Sequence, residues 1–354
     1  MSGSSQNSPY ADQPSHAFWR TAVVEQRPET IAKLHQPRFD LTPQTAIMTA
    51  GSCFAQHLHR ELSGLGWHII LKEDVSGRLP DKVAARNGYG QYSARYGNIY
   101  TARQWLELIR EALSATPPHP IIWTKEDRFY DALRPSAEPT GLACKDDVAQ
   151  ARSAHLLAVR EALHEAHCVI FTLGLTEAWV DRATERTLPT APGTLAGNMI
   201  DTPADFVNFC YEDVLSDLTE ARALLRSINP EMRILLTVSP VPLTATATSS
   251  HVVLASAASK AILRAACDGM LRRFDDVDYF PSYEIITSPV LGGPFFATNC
   301  RTPSRDGVAK VMQVFADSYT GGQTAKVNPT STGSPEDEAL EVACEEMLLE
   351  AFAK

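Results

Sequence analysis

The clearest reactive candidate in the chain is a serine flanked by small residues, in Ala50-Gly51-Ser52-Cys53-Phe54-Ala55-Gln56. Residues 46 to 49 run apolar into it, and Phe54, Leu58, Leu62 and Leu65 follow at helical spacing. Ser52 therefore falls at a strand-to-helix turn. Backbone N–H groups that open a helix have no partner within it, so they favour negative charge on an oxygen near the helix start. A serine there is suited to attack an acyl carbonyl. Small residues at a tight turn also serve close packing, and no G-x-S-x-G pattern surrounds any serine, so the spacing alone leaves both readings open.

Further candidates share one property: each follows a stretch that reads as a buried strand. Gly174, Thr176 and Glu177 come after the apolar run 168–173, Ser239 after 233–238, and Tyr283 with Glu284 after 277–281. In open α/β sheets ligands sit at the carboxyl ends of strands, so these groups and Ser52 should meet. The Gly174 amide is a candidate oxyanion donor with the Thr176 hydroxyl beside it, and Glu177 or Glu284 could orient an imidazole or serve as an ion-pair partner. Residues 86–101, rich in Gly and Tyr and containing Gly97 and Asn98, suit either a loop that approaches a ligand or a surface turn. Cys53 is a rival nucleophile, although one residue inside the turn a cysteine more often packs as a small apolar group.

The elements that must position these groups alternate. Helical patterns over 102–114, 148–166, 211–227, 253–274 and 305–319 are interleaved with the buried runs, which predicts an α/β fold, a three-layer α/β/α sandwich with a mostly parallel central sheet. With 354 residues and 44% hydrophobic side chains, one large domain over 17–320 has ample material for a core. A polar tail (1–16) precedes it. A linker (321–333) leads to an acidic helix over 334–354, opened by Ser334 as N-cap with Pro335 behind it, which could dock a partner, pack on the body or hang loosely.

Composition removes several classes of function. The net charge of −10 comes with scattered basic residues, which excludes a nucleic-acid footprint. No apolar stretch reaches the ~20 residues of a membrane span, and residues 1–15 have no apolar leader core, so a cytoplasmic protein is expected. Seven cysteines lie far apart, which fits free thiols and offers no zinc site. His164 and His167 share a helix face at ligand spacing but have no third ligand near them, so neither metal nor cofactor is expected.

Gly51-Ser52-Cys53-Phe54-Ala55 is the signature of the GSCFA family, a group resembling SGNH/GDSL-type hydrolases. Phe171 to Trp179, Thr237 to Pro242 and Asp278 to Ile285 also resemble family blocks, so the likeness spans about 17–318. It implies an SGNH hydrolase-like sandwich with Ser52 as nucleophile and the Ser52 and Gly174 amides in an oxyanion hole. The implied activity is that of a serine esterase or O-acyltransferase, acting on a small-molecule or carbohydrate ester through an acyl-serine intermediate.

One departure matters. SGNH enzymes carry Asp-x-x-His before the last helix, whereas this chain has Asn299 and Thr302 there and no histidine after His251. If a Ser–His pair operates, His251 is the leading base, since the loop from Ser239 emerges at the site edge; a helix-cap or surface role competes with it. His57 is a weaker candidate, as it points more than a turn away from the helix start. The alternative is a degenerate SGNH-like protein that kept the cleft to bind a glycan or other ligand.

Overall fold

Cys168–Leu173 and Arg233–Val238 can be apolar almost throughout because each is covered on both faces. Their side chains alternate between two separate cores. Val169, Phe171 and Leu173 face one core, while Cys168 and Ile170 face the other. This is the signature of a middle layer.

A computed structural model describes residues 8–28, 31, 33–75, 77–320 and 345–353. In chain order the elements are β1 (Ile47–Gly51), α1 (Phe54–Gly64), α2 (Asp81–Arg86), α3 (Ala102–Leu113), β2 (Ile122–Lys125), β3 (Arg128–Asp131), α4 (Lys145–Glu165), β4 (Cys168–Leu173), β5 (Glu177–Asp181), β6 (Thr187–Leu188), β7 (Ala204–Asn208), α5 (Tyr211–Ile228), β8 (Arg233–Val238), α6 (Val252–Arg273), β9 (Val277–Tyr279), α7 (Ser282–Thr287) and α8 (Arg305–Thr320). The central sheet has the order β1-β4-β8-β9 and every pairing in it is parallel. Helices α3, α4, α5 and α6 contribute to the core on one face, and α1, α7 and α8 to that on the other. The α/β class and the three-layer sandwich with a parallel central sheet are thus as the residue pattern implies.

Register places the site. Gly51 of β1 pairs with Thr172 of β4, and Thr172 with Thr237 of β8. Ser52, Gly174 and Ser239 consequently leave the sheet side by side. Two small antiparallel sheets, the β2-β3 hairpin and β6-β5-β7, stand apart from the central sheet; the periodicity of the sequence does not indicate them.

A buried ionic cluster binds the β2-β3 hairpin to α3 and α4. Arg152 Nη2 lies 2.5 Å from Glu111 Oε2, and the other oxygen of Glu111 pairs with Arg186. Arg134 Nε is 3.0 Å from Asp131, and His155 Nδ1 donates to Glu73 at 2.7 Å. Burial raises the Asp131 carboxyl, but the Arg152 and Arg134 guanidiniums together hold it below the usual carboxylate range. Burial, with Arg134 beside it, pushes the His155 imidazole down to about 4.

Of the tail expected at 1–16 only residues 1–7 fall outside the described residues, whereas the linker expected at 321–333 falls wholly outside them, as do residues 334–344 at the start of the acidic helix. Glu345–Phe352 forms a 3-10 helix. Among the described residues, no helix is long and apolar enough to cross a membrane.

Candidate active site

Ser52 sits where β1 gives way to α1, and only 2% of it is exposed. Gly51 makes the turn possible: its φ is +135°, and a Cβ there would lie 2.7 Å from the Thr172 nitrogen. The Ser52 amide donates to the Thr172 carbonyl at 3.0 Å, which extends the β1-β4 ladder by one residue. Its carbonyl accepts from the Ala55 amide at 2.8 Å and from the Tyr92 hydroxyl at 3.2 Å. The side-chain oxygen has no hydrogen-bond partner among the described residues. A buried hydroxyl left unpaired costs about 1–3 kcal/mol, so its persistence calls for an explanation.

Three buried polar side chains support this corner. Gln56, one helical turn beyond Ser52, donates to the Tyr92 hydroxyl at 3.1 Å and to Asn98 Oδ1 at 3.2 Å, and Tyr92 also donates to Asn98. Asn98 thus acts through Tyr92 on the Ser52 carbonyl. The preceding Gly97 has φ +69°, a left-handed conformation that suits glycine. The Gly- and Tyr-rich stretch is buried from Tyr92 to Tyr100, so it is no surface turn. Sequence reasoning does not single out Gln56 and Tyr92; a polar residue four positions after the serine, on the inward face of α1, is the available signal.

Gly174 lies against Ser52. A Cβ on it would come within 2.9 Å of Ser52 Cβ and 3.0 Å of the Tyr100 carbonyl oxygen. Its amide and that of Leu175 both donate to the Tyr100 carbonyl, at 2.9 and 3.1 Å. Both expected oxyanion donors, the Ser52 and Gly174 amides, are therefore committed to backbone carbonyls. Of the first-turn amides of α1, those of Ala55 and Gln56 are also taken, whereas the Phe54 amide has no backbone acceptor among the described residues. Thr176 is fixed differently from expectation: its amide donates to Ser259 Oγ at 3.0 Å and its hydroxyl to Asn208 at 2.7 Å.

The acids and the base are dispersed. His251 is the exposed N-cap of α6, and its Nδ1 accepts from the Val253 amide at 3.2 Å. It makes no hydrogen bond to Ser52. Among the described residues Glu177 makes no hydrogen bond or ion pair to a histidine; it accepts from the Thr246 hydroxyl at 2.6 Å and the Ala247 amide at 3.1 Å, and so ties down the loop that leads to His251. Glu284 accepts from Arg264 at 2.9 Å and from the Tyr279 hydroxyl at 2.8 Å. It lines a groove of about 450 Å³ with Leu34, His35 and Arg38. Tyr283 is half-buried beside it, with its carbonyl bound by the Thr287 hydroxyl at 2.7 Å. Burial with Arg60 nearby pushes His57 down to about 3, and its Nδ1 lies 3.1 Å from Arg60.

The GSCFA family model matches residues 46–315, more than half of the chain. The chain belongs to the GSCFA family. The match begins at the strand that delivers Ser52 and ends in α8, so every GSCFA site group discussed above lies inside it. No curated protein matches this GSCFA chain. Among solved structures, it is similar to a mutant acetyl esterase with acetate ion, at 9% identity over 76% of this chain and 92% of that one, with a TM-score of 0.33. It is also similar to a Clostridium thermocellum family 3 carbohydrate esterase, at 10% identity over 78% and 95%, with a TM-score of 0.33. Likeness at that level says nothing of this chain's chemistry.

Residues 299–302 of this GSCFA chain form a tight turn. Asn299 Oδ1 accepts from the Arg301 and Thr302 amides at 3.0 and 2.9 Å, and its Nδ2 donates to the Thr302 hydroxyl at 2.9 Å. Neither side chain can take a proton from serine. Among the described residues no group of three or more His, Cys, Asp or Glu could hold a metal ion.

Proposed function

We propose that the protein is a serine-dependent ester hydrolase or O-acyltransferase, with Ser52 as the nucleophile that carries the acyl group and an acylated carbohydrate or similar small ester as substrate. The observation that carries this reading is the buried, unpaired Oγ of Ser52 at the start of α1. A structural serine in such a place would bond to the nearest carbonyl; one kept unpaired is available to an acyl carbon. Membership of the GSCFA family supports the same assignment.

In this reading the Phe54 amide at the helix start is the donor best placed for the developing oxyanion, because the Ser52 and Gly174 amides would each have to leave a carbonyl first. Thr176, Asn98 and Gly97 shape the corner rather than donate to the substrate. His251 can serve as base only through Nε2, after the 239–251 loop has moved over Ser52, since Nδ1 is taken by the helix cap. Ser52 is only 2% exposed, so a substrate reaches it only after a local opening of the surrounding chain. Whether water or a sugar hydroxyl accepts the acyl group depends on how completely the opened site excludes water.

A second reading, a ligand-binding protein that has lost turnover, is supported by the resemblance to SGNH enzymes, which implies an Asp-x-x-His where this chain has Asn299 and Thr302 bonded to each other. Intact-protein mass spectrometry with a fluorophosphonate separates the two. Wild type should gain one adduct and Ser52→Ala none, with His251→Ala slowed if that histidine is the base. Absence of any adduct on wild type would sink the catalytic reading.

A further inference from the structure

Helix α6 reaches the carboxyl end of β4 through two consecutive buried side chains. Ser259, 2% exposed, takes the Thr176 amide, and Lys260, 4% exposed, donates from Nζ to the Gly174 carbonyl at 2.5 Å. Helix packing alone gives no reason for the second contact. Burying an ammonium is costly, and a leucine or methionine would fill the space without that cost. Ser259 already shows that a neutral group suffices to hold the 174–176 turn.

The lysine is directed at the residue that touches the nucleophile. The Gly174 Cα lies against Ser52 Cβ, so the ammonium stands within roughly 10 Å of the serine through that one peptide. The groups bonded around Ser52 itself are neutral: Tyr92, Gln56, Asn98 and backbone amides.

We propose that Lys260 is a positioning residue for Ser52: its ammonium clamps the Gly174–Leu175 peptide against the serine and supplies the positive potential in which the serine ionises and the acyl oxyanion forms. The proposal rests on Ser52 being the nucleophile. A cation close to an ionising group in a water-poor site favours its charged form, and here no mobile counter-ion has to be recruited during the reaction.

The test is the rate of fluorophosphonate labelling as a function of pH for wild type, Lys260→Met, Lys260→Arg and Ser259→Ala, with Ser52→Ala as blank. Lys260→Met keeps length and removes charge; Ser259→Ala removes the neighbouring anchor and leaves charge unchanged. We expect Lys260→Met to label about tenfold more slowly or worse, with its rate rising at higher pH than in wild type. Lys260→Arg should recover part of the rate, and Ser259→Ala should keep the wild-type pH profile. Circular dichroism and urea unfolding of each variant show that the fold is intact. If Lys260→Met labels like wild type, or slows with the unshifted profile of Ser259→Ala, the proposal is overturned while Ser52 stands. Lack of label on wild type overturns both.

Discussion

Two buried polar regions of this protein are built on opposite plans. Between α3, α4 and β3 the chain concentrates charge: Arg152, Arg134 and Arg186 meet Glu111, Asp131 and Glu73 at ion-pair distances. At the end of β1 it collects neutral groups around a serine whose oxygen is left without a partner among the described residues. Asn98 belongs to both, for it bonds to Gln56 near Ser52 and lines a cavity of about 30 Å³ with Glu107, Glu111 and Arg152. That cavity has room for about one water molecule. The difference separates tasks. Ion pairs tie the β2-β3 hairpin to α3 and α4, although Arg152 Nε, Arg186 Nε and His155 Nε2 also lack a partner among the described residues, whereas the serine corner is neutral and, in the reading proposed above, is kept for a ligand.

The comparison predicts that damage to the first region costs stability and damage to the second costs reactivity. The largest effect should come from Arg152→Met, which leaves Asp131 short of one cation and Glu111 dependent on Arg186 alone. Removing one partner of a buried pair typically costs about 3–5 kcal/mol. Urea unfolding should show a loss of that order, with the labelling rate of the folded protein unchanged. A loss below about 1 kcal/mol would mean that the cluster does not clamp the hairpin.

Acid should cost stability in both regions, through His155 in the ionic cluster and through His59 on α1, which bonds to Thr49 of β1. Burial and Arg134 hold His155 at about 4 and burial holds His59 at about 4, both below the usual 6.5, so the folded state refuses protons that the unfolded chain accepts. Stability is therefore complete above about pH 6.5 and falls as pH drops toward about 4. Glu73, raised by burial but brought down to about 2 by the His155 hydrogen bond and Arg134, continues the loss from about 4.5 toward 2. A full shift of this size is on the order of 3 kcal/mol per histidine. His155→Gln should flatten, without abolishing, the decline between pH 6.5 and 4, because His59 keeps its share. An unchanged slope would show that His155 already takes its proton near the ordinary value.

Packing at the serine itself is the next test, expected to move reactivity more than stability. Gly174→Ala places a methyl 2.9 Å from Ser52 Cβ and 3.0 Å from the Tyr100 oxygen. Overpacking of this kind costs about 1–3 kcal/mol. Labelling should fall below detection although the chain still folds; retained labelling would mean that Ser52 reacts from a position other than the one seen.

The sequence discloses one of these regions far better than the other, and for a physical reason. Ser52 and Gly174 are legible because a buried parallel strand is apolar on both faces and stops at a turn; 168–173 and 233–238 match their strands residue for residue. The ionic cluster is invisible there, since its seven members are scattered between Glu73 and Arg186 and each reads singly as a solvated charge. Lys260 is hidden for the same reason: one lysine in a 22-residue helix gives no sign of facing inward. The short strands β2, β3, β5, β6 and β7 carry too few residues for alternation to show. Glu177 does lie just past the end of β4, but without the imidazole partner expected for it, because sequence shows where a carboxylate is anchored and not what folds back over it.

That last residue offers the smallest stability effect and the finest division between the two regions. Glu177 belongs by position to the serine corner, yet by its contacts it behaves as a clamp, taking a hydroxyl and an amide from the 246–247 loop. Glu177→Gln keeps the shape and removes the charge, so it weakens two charge-assisted hydrogen bonds that are partly open to water, and the global loss should stay below about 1 kcal/mol. The loop should open more often. If access through 239–251 limits the reaction of Ser52, opening raises the rate at which a bulky fluorophosphonate labels the serine and leaves a small one unaffected. If the clamp instead holds His251 on its approach to Ser52, both reagents slow together, which would make Glu177 part of the reacting apparatus through the loop that it holds.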